Sequence, residues 1–419
     1  DGGIAGKGGD RMSWFPAVTT AQRRTLIAAS AGWMLDGMDV MLYAMVLAHL
    51  MRDLGMSTST GGLLGSLTLL SSAVGGIGFG ILADRAGRTR ALSASILVYS
   101  VFTAACGFAH SIVQLAVFRV LLGLGMGGEW ATGAALVSET WPSEHRGKAL
   151  GIMQSAWAVG YGLAAAVTAV VLPRFGWRAV FFVGVLPALV TFWILRRVAE
   201  PEVWRASRAA PEVGRGELSR LFAPPLRRHT VVVTVVNAFT MFAWWGLFTW
   251  IPSYLGLPPA QGGAGLDIVR TSTWVILMQV GMWLGYVTFG FTSDRFGRRS
   301  TYIAYLAAAT LLVPVYGAVR APVALLLLGP PVAFFGTGYF VGFGVMTAEL
   351  FPTRIRATAQ GLTYNFGRGV SALAPFAVGS LALRHGLGFA FNLVAAAFGA
   401  AALLALLLPE TRGRQIVAD

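Results

Sequence analysis

Apolar runs long enough to cross a bilayer recur along the whole chain, and they constrain its fold more than any other feature. A crossing helix needs roughly 20 predominantly apolar residues. Inside lipid it must also satisfy its backbone N–H and C=O groups within itself or against protein. Twelve such segments are expected, near residues 25–50, 60–83, 90–109, 112–139, 147–172, 178–196, 230–256, 271–293, 300–319, 322–349, 356–383 and 387–408. The expected fold class is therefore an all-α membrane protein of twelve transmembrane helices. Only 12% of residues are charged, about half the ordinary share of a soluble domain, which is too little to cover a water-exposed surface.

The excess of basic residues does not point to nucleic acid. The formal charge is +14, but Lys and Arg punctuate the gaps between apolar runs and do not form one patch. Cys106 is the only cysteine, and the five histidines are scattered near helix ends, so neither a disulfide framework nor a metal site is expected. Gly123, Gly125 and Gly128 satisfy G-x-G-x-x-G. No strand precedes them, and in a crossing helix such glycines permit close packing. No Ser/His/Asp set or phosphate loop is visible, so the chain is not expected to be an enzyme or to hold a cofactor. No cleavable leader is visible either.

The basic residues do set an orientation. With both termini in the cytoplasm, 24 of the 32 Lys and Arg fall on the cytoplasmic side, as the positive-inside rule requires. The expected division is a disordered segment 1–21, a first six-helix bundle 22–196, a cytoplasmic linker 197–228, a second bundle 229–408 and a tail 409–419.

The two bundles are expected to be copies of one another. Asp84, Arg85, Gly87 and Arg88 recur as Asp294, Arg295, Gly297 and Arg298, 210 residues later. The same offset carries Glu139 to Glu349, Pro142 to Pro352, Arg146 to Arg356 and Gly151 to Gly361. The Asp-Arg-x-Gly-Arg loops resemble those of the major facilitator superfamily. Glu200-Pro201-Glu202 and Pro409-Glu410-Thr411-Arg412-Gly413 resemble its sugar-porter and metabolite–proton-symporter branches. The resemblance covers residues 22–415 or so and implies two six-helix bundles around a cavity that opens alternately to each side. It also implies that Asp84, Arg85, Arg88, Glu139 and Arg146, with Asp294, Arg295, Arg298, Glu349 and Arg356, form cytoplasmic latches that govern conformational change.

The charges inside the spans are not repeated. Asp36 maps to Gly246, Asp39 to Thr249, Arg119 to Gly329 and Glu129 to Tyr339, while Arg368 maps back to Ala158. A charge at midplane costs at least ~2.5–3.5 kcal/mol, so it marks a functional path. Asp36 and Asp39 share one helix face. Two carboxylates in apolar surroundings cannot both stay ionised cheaply, which suits a proton carrier. Asp36, Asp39 and Glu129 are the proton-coupling candidates. Asp-Gly-x-Asp in the first span resembles aromatic-acid and carboxylate–proton symporters. In sugar porters the second Asp pairs with the arginine matching Arg119, which implies an Asp39–Arg119 pair here. Gly-Gly-Glu129-Trp130 resembles the lactate/pyruvate and sialic-acid branch, and Arg368 resembles the span-eleven arginine of organic-anion transporters. A guanidinium at that depth can hold a carboxylate with two parallel hydrogen bonds.

Substrate contacts are expected from Arg119 and Arg368, from Gln154, Trp157 and Tyr161 on one face of the fifth span, and from Trp245, Tyr339, Tyr364 and Asn365. Sugar porters carry amide side chains where this chain has Tyr161, Phe239, Thr240 and Trp245. Their loss disfavours a hydroxyl-rich hexose. The expected activity is proton-coupled symport of a small organic anion, a monocarboxylate or an aromatic acid, by a monomer in a prokaryotic inner membrane. A sugar or polyol symporter is a weaker alternative. So is a drug–proton antiporter, since the Gly-Pro of those families is absent from Gly160-Tyr161-Gly162.

Overall fold

The computed structural model describes residues 18–141, 143–201, 221–351 and 353–412. The side chains of Asp84, Arg146 and Arg356 lie outside the described residues, as do the backbone of 202–220 and both chain ends, so the linker and the terminal segments are not characterised further. In the first half the helices are α1 (Thr20–Asp53), α2 (Thr58–Ala86), α3 (Arg88–Cys106), α4 (Ile112–Thr140), α5 (Ser143–Val183) and α6 (Pro187–Arg197). The second half holds α7 (Pro224–Phe248), α8 (Ile251–Gly256), α9 (Ile268–Phe296), α10 (Arg298–Ala318), α11 (Pro322–Leu350), α12 (Thr353–Ser371), α13 (Leu373–His385) and α14 (Leu387–Ala405). Among the described residues there are 11 segments long and apolar enough to cross a membrane.

That count differs from the twelve expected because one segment, Lys148–Arg197, runs for 50 residues. It is bent at Gly176, whose φ of 76° lies in the left-handed region that favours glycine. Before the bend, Gly160 packs on the backbone of Met34 and Met38 in α1, and Trp177 at the bend donates to Asp53 Oδ2 at 2.8 Å. After it, Gly184 meets Thr103 and Glu200 reaches Thr89 of α3. The two arms therefore run in opposite directions along different neighbours.

Helix starts are written locally. Thr19 and Gln22 form a reciprocal capping box at α1, while Ser57, Ser111 and Asp267 cap α2, α4 and α9. The repeat is visible in packing. Gly75 of α2 sits against the carbonyl of Leu124 in α4, and its counterpart 210 residues on, Gly285 of α9, sits against that of Phe334 in α11. Either contact leaves no room for a Cβ, which is how small residues let membrane helices approach closely.

The same offset relates two carboxylates that sequence comparison did not pair. Glu200 accepts from the backbone N–H of Thr89 (3.1 Å) and Arg90 (3.3 Å) at the start of α3. Glu410 accepts from that of Arg298 (2.7 Å) at the start of α10. An anion at a helix N-terminus meets unsatisfied N–H groups and the positive end of the helix dipole. Burial pushes Glu410 up. The backbone donors of Arg412, Arg298, Thr411 and Arg299 outweigh it and hold the carboxyl below the usual glutamate range. Its contribution is thus present at neutral pH and lost as pH falls through that lowered value. Glu410→Ala is expected to cost about 1 kcal/mol at neutral pH, read as a lower melting temperature in detergent that converges on wild type in acid. An unchanged melting temperature at pH 7 would count against this tie.

Side-chain hydrogen bonds tie the halves together along one end of the bundle. Thr58 Oγ1 donates to the Gly379 carbonyl (2.8 Å), Ser59 and Ser380 hydroxyls lie 3.0 Å apart, and Phe376 N donates to Ser66 Oγ (3.1 Å). This seam joins α2 to α13. Tyr161 OH adds a bond to the Phe248 carbonyl at 2.9 Å. Toward the opposite end, where Arg88 and Arg298 lie, Gly151, Gly344 and Gly361 meet nothing within 4 Å of a Cβ position among the described residues.

Candidate functional site

The unrepeated charges are all buried, four of them close together. Asp36 and Asp39 are 1% exposed, Glu129 0%, Arg119 2% and Arg368 4%. Asp36 on α1 is within electrostatic reach of Asp39, of Glu129 on α4 and of Arg368 on α12. Glu129 lies against α1, and a Cβ at Gly32 would meet its Oε1 at 2.5 Å. Among the described residues, the carboxylate oxygens of Asp36 and Glu129 have no hydrogen-bond partner, and Asp39 has only the Thr103 hydroxyl close by. Three buried carboxylates and one nearby guanidinium do not balance in charge. Uncompensated buried charge of that kind is costly, and a proton taken up by one carboxylate would reduce it.

Arg119 stands apart. It forms no ion pair among the described residues, and its guanidinium lies 3.9 Å over the ring of Tyr43. Tyr43 is one helical turn beyond Asp39 on the same face of α1. In this conformation Arg119 is therefore a turn away from the carboxylate that the resemblance implies for it.

Beside Arg368 is a cavity of about 400 Å³. Its walls are aromatic: Trp33 from α1, Trp157 from α5, Trp244 and Trp245 from α7, Phe340 from α11 and Tyr364 from α12. The rings brace one another. Trp33 and Trp157 have centroids 4.6 Å apart, and Trp244 and Trp245 4.9 Å apart at nearly a right angle. Tyr364 stacks on Trp130 of the other half at 4.1 Å, and Trp130 donates to Gln154 Oε1 at 3.2 Å. The chamber offers flat apolar faces, one deep guanidinium and few other polar groups. It suits a planar body bearing a carboxylate.

Of the expected contact residues, the structure brings Gln154, Trp157, Trp245, Tyr364 and Arg368 into this chamber. Tyr161 and Tyr339 are fully buried outside it, and their hydroxyls donate to the carbonyls of Phe248 and Thr240. Asn365 lies beside Gly76 of α2. Arg119 lines a different cavity. Trp33, Met241, Trp244, Tyr286 and Phe340 line the chamber but were not singled out from sequence. The signals that could have found them are Trp33 one turn before Asp36 and the adjacent Trp244-Trp245 pair.

The repeated charges lie at the end opposite the seam. Arg88 pairs with Glu139 at 2.9 Å, and Arg298 pairs with Asp294 and, at 3.4 Å, with Glu349. These pairs join helices of the same half. Arg85 and Arg295 are exposed.

The sequence profile of the Major Facilitator Superfamily matches residues 29–266. A protein of Cupriavidus pinatubonensis named a probable 4-methylmuconolactone transporter is 36% identical over 410 residues, spanning 96% of this chain and 94% of its own length. The cis,cis-muconate transport protein of Acinetobacter baylyi is 32% identical, spanning 87% of this chain and 89% of its own. The crystal structure of a D-xylose-proton symporter superposes with a TM-score of 0.76, at 20% identity over 94% of this chain and 100% of that one, a likeness of fold alone. With the superfamily profile across more than half of its length, and relatives above 30% identity along most of it, the chain is a membrane transporter that belongs to the Major Facilitator Superfamily.

Proposed function

We propose that this transporter carries small organic anions with a planar, unsaturated or aromatic body, together with protons, by alternating access. The carrying observation is the chamber of about 400 Å³ in which tryptophan faces surround Arg368. The names of the two relatives, a muconate and a muconolactone transporter, support the same substrate class. Arg368 holds the carboxylate, and Trp33, Trp157, Trp244, Trp245 and Tyr364 hold the body. Asp36, Asp39 and Glu129 take up the proton that balances the charge. Gln154 sets the Trp130–Tyr364 stack that closes the chamber on one side.

The chain crosses the membrane twelve times in two six-helix bundles, with the crossings five and six meeting at Gly176. The opposed directions of the two arms and the repeated glycine contacts at an offset of 210 support that count. Both termini are cytoplasmic, on the side where Lys and Arg concentrate. The seam between α2 and α13 is then external and closed, and this conformation faces inward. The Arg88–Glu139 and Arg298–Glu349 pairs lie on the cytoplasmic side, where they restrain the ends that must move. Tyr161, Tyr339 and Asn365 act in this scheme through packing between helices and not through substrate.

Counterflow in liposomes tests the substrate class. Preloaded benzoate should drive uptake of labelled benzoate, muconate should compete, and benzamide and D-xylose should not. Counterflow driven by xylose and by no carboxylate would sink the reading.

A further inference from the structure

Arg119 points into a second cavity of about 300 Å³, lined by Tyr43, Ala44, Thr68, Trp245 and Thr249 among others. The cavity lies directly beneath the seam. Gly65 and Pro375, which flank the Ser66–Phe376 hydrogen bond, are part of its wall. Parting of α2 from α13 would open it before anything deeper.

The guanidinium there is unmatched. Arg119 is 2% exposed, and its Nε and Nη1 are buried without a hydrogen-bond partner among the described residues. The Tyr43 face returns only a fraction of what desolvating a guanidinium costs. Thr68 Oγ1 is turned to the Leu64 carbonyl of its own helix and does not serve Arg119. Trp245 lines both this cavity and the Arg368 chamber, so one indole is the partition between two buried arginines.

We infer that Arg119 forms a separate carboxylate-docking subsite, which the anion occupies from the external side before it passes Trp245 to reach Arg368. The inference rests on the anion reading above. Two guanidinium groups in series let the carboxylate leave water for one charge partner and then exchange it for another. The single partition also predicts that only ligands thin enough to slip past an indole are carried.

The test separates the two subsites by locking the seam. Cysteines at positions 59 and 380, where the serine hydroxyls lie 3.0 Å apart, can be joined by oxidation or a short bifunctional reagent. Cys106 is buried and does not compete. In the locked protein, benzoate binding read by tryptophan fluorescence should differ by less than about twofold between Arg119 and Arg119→Gln, because the two sites are distinct. In the unlocked protein, the external KM for benzoate should rise about tenfold or more in Arg119→Gln, with partial recovery in Arg119→Lys. Ala44→Leu fills the cavity while keeping the guanidinium and should raise the external KM similarly. The inference is overturned if Arg119→Gln weakens locked-state binding as much as it raises KM, or if external KM is unchanged in either Arg119→Gln or Ala44→Leu. If wild-type protein binds no benzoate, or binds benzamide equally, the anion reading itself fails and the subsite falls with it.

Discussion

Arg368→Gln is expected to weaken carboxylate binding by about a hundredfold or more while leaving the fold intact. A charge-assisted, two-pronged bond to a buried carboxylate is worth several kcal/mol, and every 1.4 kcal/mol is about tenfold in affinity. Glutamine keeps most of the volume of the side chain and can donate one hydrogen bond, so the loss measures the charge and the fork. Arg368→Lys separates those two. It keeps the charge and loses the planar fork, and its binding should fall about tenfold. The chamber supplies its own reporter, since Trp33, Trp157, Trp244 and Trp245 line it and a seated ligand should quench them. The neutral variant should also lose discrimination between benzoate and benzamide, because the apolar walls do not read charge. Binding of benzoate to Arg368→Gln within about threefold of wild type, with a wild-type melting profile, would remove Arg368 from the site.

The buried charges were legible in the sequence and the chamber walls only in part, for a physical reason. A charge within an apolar run is conspicuous because lipid penalises it, so Asp36, Asp39, Arg119, Glu129 and Arg368 could be marked at once. A membrane helix that is apolar on all sides has no amphipathic stripe from which its rotation can be read. Nothing in the sequence therefore says that Trp33 and Trp244 face the chamber while Tyr339 faces Tyr302 and Phe398. Tyr161 illustrates the same difficulty. Its position matches a sugar-binding one, yet its hydroxyl ties α5 to the backbone of α7. The Arg119 partner turned on a smaller ambiguity, because Asp39 and Tyr43 share a face of α1 one turn apart. Which of them a neighbour meets depends on how far along α1 the α4 helix sits, which the spacing of residues does not fix. The repeat was the opposite case. Its glycines and charges keep one ungapped offset, and Gly75 with Gly285, and Glu200 with Glu410, extend it into packing and capping.

Neutralising the carboxylates should uncouple transport from protons without abolishing it. Asp36 and Glu129 share the field of Arg368 and of each other, and Asp39 adds a third carboxylate next to Asp36. An arriving anion would add another negative charge to a group already in excess. Under the proposed coupling a proton enters with the anion, and a carboxylate whose oxygens have no hydrogen-bond partner among the described residues is where that proton can rest. Symport of one proton with one monocarboxylate makes each unit of pH gradient worth about 1.4 kcal/mol, or about tenfold accumulation. Asp36→Asn and Glu129→Gln mimic the protonated state permanently. They should keep benzoate counterflow within about threefold of wild type, since the loaded form is preserved, while accumulation driven by an inward proton gradient falls from about tenfold to about unity. Asp39→Asn tests whether the coupling extends past Asp36, and its accumulation should fall in the same way. The paired measurement matters because a misfolded variant loses both activities, whereas an uncoupled one loses only the second. Tenfold accumulation retained in all three single variants would show that the proton travels elsewhere, or not at all.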